Sequence, residues 1–242
     1  MNYKKLIILL ALILGFANFI ICGEKTESDI VKETDNIEKE CPPGMVKIPS
    51  RYLLHYTVFY KVDWEEETMD AFCIDQYEYP NIKGELPYVD VSFEEAESLC
   101  MQQGKRLCSY YEWLSACQGS KNYKYPYGLI YDSKKCNTHR GLIYFESDRT
   151  LAGSGDFSEC KSDFGVYDMT GNVWEWSKNE IGVIEKGLET EKELRGGGWD
   201  AGFSCMDNWM LFKKRNVPET FMDSISEIKN RVGFRCCKSL GK

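Results

Sequence analysis

The chain has 242 residues, with 38 acidic side chains against 30 basic ones and a formal net charge of −8. That balance argues against a cationic surface for nucleic acid, and 15 Tyr, 12 Phe and 6 Trp exclude disorder throughout. Only two histidines are present, His55 and His139, which excludes a site built on three.

The first segment, "MNYKKLIILLALILGFANFIIC", reads as a signal sequence over residues 1–22. Lys4 and Lys5 precede an apolar run from Leu6 to Ile21. The run is short for a membrane span, which needs roughly 20 residues. Cys22 closes it and resembles the acylation site of a bacterial lipoprotein, although Ile21 stands where a small residue is usual. Plain secretion and an uncleaved anchor are the alternatives. The reading chosen is an exported protein held to a membrane by an N-terminal lipid, in the periplasm or at the cell surface.

Residues 23–40, "GEKTESDIVKETDNIEKE", are polar, charged and free of aromatics, the composition of a flexible tether. One domain is expected over residues 41–240. Setting Cys22 aside from the 11 cysteines leaves ten, which in an exported chain reads as up to five disulfides.

Two helices announce themselves. In "VSFEEAESLCMQQG", Ser92 and Glu95 form a capping-box pattern and Gly104 is a stop. "CSYYEWLSACQG" repeats the device with Ser109, Glu112 and Gly119. Phe93, Ala96, Leu99 and Cys100 lie on one face of the first helix; Trp113, Leu114, Ala116 and Cys117 supply the apolar side of the second. The rest is short apolar runs broken by Gly, Asn, Pro and Asp. The expected class is a loop-rich, disulfide-rich α+β domain with two helices and short strands.

The stretch "DFGVYDMTGNVWEWSKN" mixes turn residues with two tryptophans, which suit a core strand, and with Asp168 and Glu175, which do not. Read by itself it is a tight turn with hydrogen-bonded Asp168 and Asn172 and no metal.

Taken in order, seven motifs resemble one family. They are "GMVKIPS", "FCIDQYEYPN", "VSFEEAESLCMQQGKRLCSYYEWLSAC", "YPYG", "FGVYDMTGNVWEWSKN", "LRGGGW" and "GFRCC". The family is that of the formylglycine-generating enzyme, or sulfatase-modifying factor, and the resemblance runs from Cys41 to Lys238. It implies a variant C-type-lectin-like fold with two helices and twisted antiparallel strands. It also implies disulfides Cys100–Cys236 and Cys117–Cys205. Cys108 and Cys237 are additions to the family pattern and are expected to pair with each other. Cys41–Cys73 and Cys136–Cys160 then remain. Sequence alone leaves this connectivity open.

The resemblance further implies calcium at the "GNVWEW" loop. The carboxylates of Asp168 and Glu175 and the carbonyls of Gly171 and Val173 would be its hard oxygen ligands. Trp174 and Trp176 would anchor the loop by burial. A second family calcium site falls on Asn137 and Thr138, with Asp156 as a distant further candidate.

Family enzymes oxidise a substrate cysteine to formylglycine with oxygen and copper held by two thiolates after an RGGS segment. Here those two positions fall on Ala201 and Met206, and Gly198 replaces the serine. Cys205 is the nearby cysteine, and the implied bridge to Cys117 claims it. Copper is therefore not expected. Iron-dependent sulfoxide synthases of the same family need histidine ligands that this chain does not space correctly. Asp200 and Asp207 are read as solvated acids rather than as an acid–base pair. The expected function is a non-catalytic binding or structural module for an unidentified extracytoplasmic ligand or protein. The alternative is an oxidoreductase acting on a protein cysteine with an altered metal site, which requires a free Cys205.

Overall fold

A computed structural model describes residues 40–54, 66–139, 149–178, 192–206, 208–210 and 231–240. The leader with Cys22, tether residues 23–39, His55 and Asp207 lie outside the described residues.

Both helices start at the expected caps. Helix α1, Phe93–Gln102, begins where Ser92 Oγ accepts the amide of Glu95. Only half of the expected capping box forms, because Glu95 Oε1 accepts a hydrogen bond from the Tyr88 hydroxyl at 3.2 Å. A tertiary partner has displaced the local one. Gly104, at φ +66°, turns the chain after Gln103 caps the helix. Helix α2, Tyr110–Gln118, has the complete reciprocal box between Ser109 and Glu112. Arg106 also grips the Glu112 carboxylate with two bonds of 2.6 Å. The helices bury the faces that their periodicity marked: Phe93, Ala96 and Cys100 on α1, with Leu99 only partly covered, and Trp113, Leu114, Ala116 and Cys117 on α2.

The strands are short. In chain order they are β1 (Met45–Ile48), β2 (Arg51–Leu54), β3 (Glu66–Met69), β4 (Phe72–Asp75), β5 (Arg106–Leu107), β6 (Trp174–Lys178), β7 (Lys192–Arg195), β8 (Asn208–Met210), β9 (Val232–Phe234) and β10 (Cys236–Ser239). They form a sheet ordered β1-β4-β10-β5, a β2-β3 ribbon and a sheet ordered β8-β7-β6-β9. Pairing is antiparallel throughout these strands except between β6 and β9, where Trp174 lies opposite Val232 in a parallel register. That pair is remote in sequence, so no tight hairpin forces antiparallel order on it. Strands β9 and β10 are separated only by Arg235 yet belong to different sheets. Arg235 is therefore fully buried at the seam between them.

One core cluster gathers Val91, Phe93, Trp174, Trp176 and Phe234 against α1. The other gathers Ile48, Phe72, Trp113, Val166 and Met169 around α2. Five disulfides tie these parts together: Cys41–Cys73, Cys100–Cys236, Cys108–Cys237, Cys117–Cys205 and Cys136–Cys160. They join the same partners as the pairing written above. Three of them close loops with sequence separations of 136, 129 and 88 residues. A bridge of this kind stabilises typically by about 2–4 kcal/mol, mainly by restricting the unfolded chain. That matters for a fold with so much irregular backbone to order. Five bridges also mark a chain that folds in an oxidising, extracytoplasmic environment.

Candidate functional site

The loop from Asp168 to Val173 is wound by left-handed residues. Asp168 and Asn172 each have φ +58°, and Gly171 has φ +83°. Asparagine and aspartate tolerate that region better than other side chains do. Gly171 is required for a second reason: a Cβ there would lie 2.3 Å from the carbonyl oxygen of Asn137. The loop therefore rests directly on residues 137–138. The Asn172 amide donates to Asn137 O at 2.8 Å. Asn172 Oδ1 accepts from Asn137 Nδ2 at 2.9 Å and from the Ala152 amide at 3.0 Å. Two stretches that the sequence reading assigned to separate calcium sites thus share one wall.

The tryptophans pin the loop from its C-terminal side. Trp176 donates its indole N–H to Val91 O at 2.9 Å and meets Phe93 edge-on at 5.7 Å between ring centroids. Trp174 is fully buried against Phe203, with centroids 4.7 Å apart. On β6, Glu175 points to the opposite face from both. It too is fully buried.

Glu175 accepts from Arg235 through both carboxylate oxygens, at 2.6 and 2.7 Å. The Trp113 indole N–H adds a third bond of 2.7 Å to Oε2. Two more carboxylates are buried beside this pair. Glu78 accepts from Asn172 Nδ2 at 2.9 Å and from Ser154 Oγ at 2.7 Å. Asp168 Oδ2 accepts the Gly155 amide at 2.6 Å. Three buried carboxylates thus face one buried guanidinium. Burial pushes the Asp168 carboxyl up to about 7, with Glu175 and Asp156 adding to the rise. Burial, with Asp168 and Glu175 nearby, pushes Glu78 well above the usual carboxylate range. Burial opposes the charge of Arg235, but Glu175, Glu78 and Asp168 together raise its pKa.

Beyond β7 the chain makes a glycine-rich turn through Gly196 and Gly197, at φ +84° and +80°. Ala201 is fully buried, and Met206 is 44% exposed. Cys205 is bonded to Cys117, and all ten cysteines among the described residues are in disulfides. Asp200 is not the solvated acid expected of a residue after such a turn. It is buried and paired with Arg231, whose guanidinium lies 5.3 Å from the Trp199 ring centroid.

The sequence matches the family described as "Sulfatase-modifying factor enzyme 1-like domain" over residues 16–240. The chain belongs to this family. A bovine relative, "Inactive C-alpha-formylglycine-generating enzyme 2", is 29% identical over 169 residues, covering 66% of this chain and 52% of that protein. "Formylglycine-generating enzyme" of Mycobacterium tuberculosis is 31% identical over 104 residues, covering 39% of this chain and 34% of that protein. The chain thus spans about half of the bovine protein and a third of the mycobacterial one. The solved structure "Crystal Structure of CarF" superposes with a TM-score of 0.55 at 15% identity, covering 83% of this chain and 99% of that one. That likeness concerns the fold, which is of the variant C-type-lectin-like kind.

Within this sulfatase-modifying-factor domain, the loop offers the donor types that calcium takes: carboxylate oxygens from Asp168 and Glu175 and carbonyls from Gly171 and Val173. Burial drives Asp168 and Glu78 toward their neutral forms while Glu175 is balanced by Arg235, so a cation here would have to displace those protons. Glu175 can contribute only through Oε1, because Oε2 already accepts two donors. At Asn137–Thr138, Thr138 Oγ1 is buried with no hydrogen-bond partner. Asp156 is exposed, and the carboxyl it perturbs is Asp168. Among the described residues no group of three or more His, Cys, Asp or Glu side chains forms a metal cage. An ion here would therefore rest largely on backbone oxygens.

Sequence reasoning missed Glu78 and Arg235. Both stand in quoted motifs, "FCIDQYEYPN" and "GFRCC", and the available signal was a charged side chain set between aromatic or apolar neighbours.

Proposed function

We propose that this protein is a non-catalytic member of the sulfatase-modifying-factor family: an exported, lipid-anchored binding or structural module. One observation carries the reading. The two positions that hold copper thiolates in the catalytic pattern are Ala201 and Met206, and the neighbouring Cys205 is consumed in the bridge to Cys117. Copper(I) is held by soft thiolates, and this segment offers none that is free. A relative named as inactive adds support. Loops on the disulfide-braced scaffold are then available for recognition.

Peptide mapping under non-reducing conditions tests this directly. The expected product is a Cys117–Cys205 linked peptide, together with no copper-dependent oxygen uptake on a cysteine-containing peptide. A free Cys205 thiol with such uptake would replace this proposal with the altered-site oxidoreductase.

The anchor is Cys22, at the end of the apolar leader. Cys22→Ser should release the protein from the membrane fraction into the soluble fraction. Continued recovery of a lipid-modified protein from Cys22→Ser cells would place the anchor elsewhere.

Calcium completes the proposal as a structural cofactor. Asp168, Gly171, Val173 and Glu175 would hold it, and its role would be to offset buried carboxylate charge and fix the loop. The Asn137–Thr138 pair is the weaker of the two calcium candidates, with Thr138 Oγ1 as its unsatisfied donor–acceptor group.

A further inference from the structure

Residues 121–135, "KNYKYPYGLIYDSKK", have no role in the site described above. Tyr125 and Gly128 exchange two backbone hydrogen bonds, of 2.9 and 3.0 Å, and close a tight turn. Tyr125 and Tyr127 stack at 5.7 Å, and Tyr131 meets Tyr125 at 5.6 Å. The turn is fastened to the body of the protein where Lys124 O accepts the Cys205 amide at 2.9 Å. Tyr131 packs so closely over Gly202 that a Cβ there would lie 2.8 Å from its ring.

Immediately after this rigid base the chain exposes two adjacent aliphatic side chains. Leu129 is 65% exposed and Ile130 is 83% exposed. Burying them would be favourable, yet the fold holds them outward on a braced support. The segment itself is basic, although Lys135 lies 3.9 Å from the Glu159 carboxylate. The segment carries Lys121, Lys124, Lys134 and Lys135 against Asp132 alone, a local charge of +3 (four minus one) in a chain of −8. Lys124 and Lys135 lie 5.8 and 5.6 Å from the ring centroids of Tyr125 and Tyr127.

We propose that this turn is a membrane-contact element for an anionic bilayer. Leu129 and Ile130 enter the acyl region, the half-buried Tyr125 and Tyr127 sit at headgroup level, and the lysines meet lipid phosphates; Tyr131, whose hydroxyl is buried, belongs to the support. Three physical points favour a lipid surface over an acidic polypeptide. Consecutive, highly exposed aliphatic residues suit a bulk apolar phase; a peptide is usually received in a groove. Tyrosine has an apolar body and a polar end, the combination found at membrane interfaces. Long lysine stems let the ammonium groups reach phosphates while the tip is immersed. The net negative charge of the chain disfavours general adhesion to an anionic surface, so this basic rim would fix one orientation. The inference does not depend on whether Cys22 is acylated.

The test is hydrogen–deuterium exchange of the full chain reconstituted with vesicles. One set contains phosphatidylcholine alone and the other phosphatidylcholine mixed with phosphatidylglycerol. On the anionic vesicles the Leu129 and Ile130 amides should exchange on the order of 10-fold more slowly than on the neutral ones. Leu129→Ser/Ile130→Ser, made at exposed positions where the fold is not at risk, should abolish that slowing at the neighbouring Tyr131 amide. Equal exchange on the two vesicle types would overturn the proposal. So would slowing caused by an acidic Glu/Tyr copolymer in solution but not by vesicles, which would assign the turn to a polypeptide partner.

Discussion

Replacing Arg235 by methionine should lower the free energy of unfolding by about 3–5 kcal/mol, the usual cost of stranding one partner of a buried ion pair. The substitution removes the donor to both oxygens of Glu175 and leaves that carboxylate beside Glu78 and Asp168 without its ion-pair partner. In a domain of this size the melting temperature should fall by roughly 10 °C. The double variant Arg235→Met/Glu175→Gln should recover much of the loss, because it removes the stranded charge as well. Thermal unfolding under non-reducing conditions reads both. If Arg235→Met melts with the wild type, the seam between the two sheets does not depend on this pair.

The second large effect is on pH and calcium together. The Asp168 carboxyl, at about 7 in the folded chain against an ordinary 3.8, holds its proton more tightly when folded. Its stabilising contribution is thus fully present below the ordinary value. It is lost as pH rises, and the loss levels off above about 7, reaching on the order of 4 kcal/mol. Glu78 acts with the same sign. In a chelator, stability should therefore decline between about pH 4 and about pH 8. A bound cation needs the ionised carboxylate, so added calcium should raise the melting temperature by an amount that grows across the same window. Melting curves with chelator and with calcium, at the two ends of the window, distinguish the cases. No calcium response at the alkaline end would remove calcium from the account.

What the sequence made legible was mostly local. Ser92 and Ser109 act within one turn of their own helices, so their caps could be read without knowing the fold. The Glu95 side chain could not, since Tyr88 competes for it from outside the helix. The loop of Asp168 and Glu175 stood out because Glu175 sits between two tryptophans on β6, which is buried on both faces. Its true environment did not stand out. Glu78, Arg235 and Trp113 reach Glu175 or Asn172 from three distant parts of the chain, and nothing in the spacing of any one motif records those meetings. The burial of Asp200 was hidden for the same reason, because Arg231 arrives from much later in the chain. The cysteine pairing was accessible through resemblance, whereas the charge network had to be seen.

Arg235, Cys236 and Cys237 are consecutive, and each fastens a different part of the molecule: the tryptophan loop through Glu175, helix α1 through Cys100, and the approach to helix α2 through Cys108. All three partners are synthesised earlier. For a chain threaded N-terminus first through a translocation channel, the fold cannot lock until these residues have emerged. The order in which its residues appear thus delays closure of these three fastenings to the end of synthesis. A ribosome that stalled just short of Arg235 would release a polypeptide with two unpaired thiols and an uncompensated buried acid. Such a product would be readily recognised and removed by quality-control proteases.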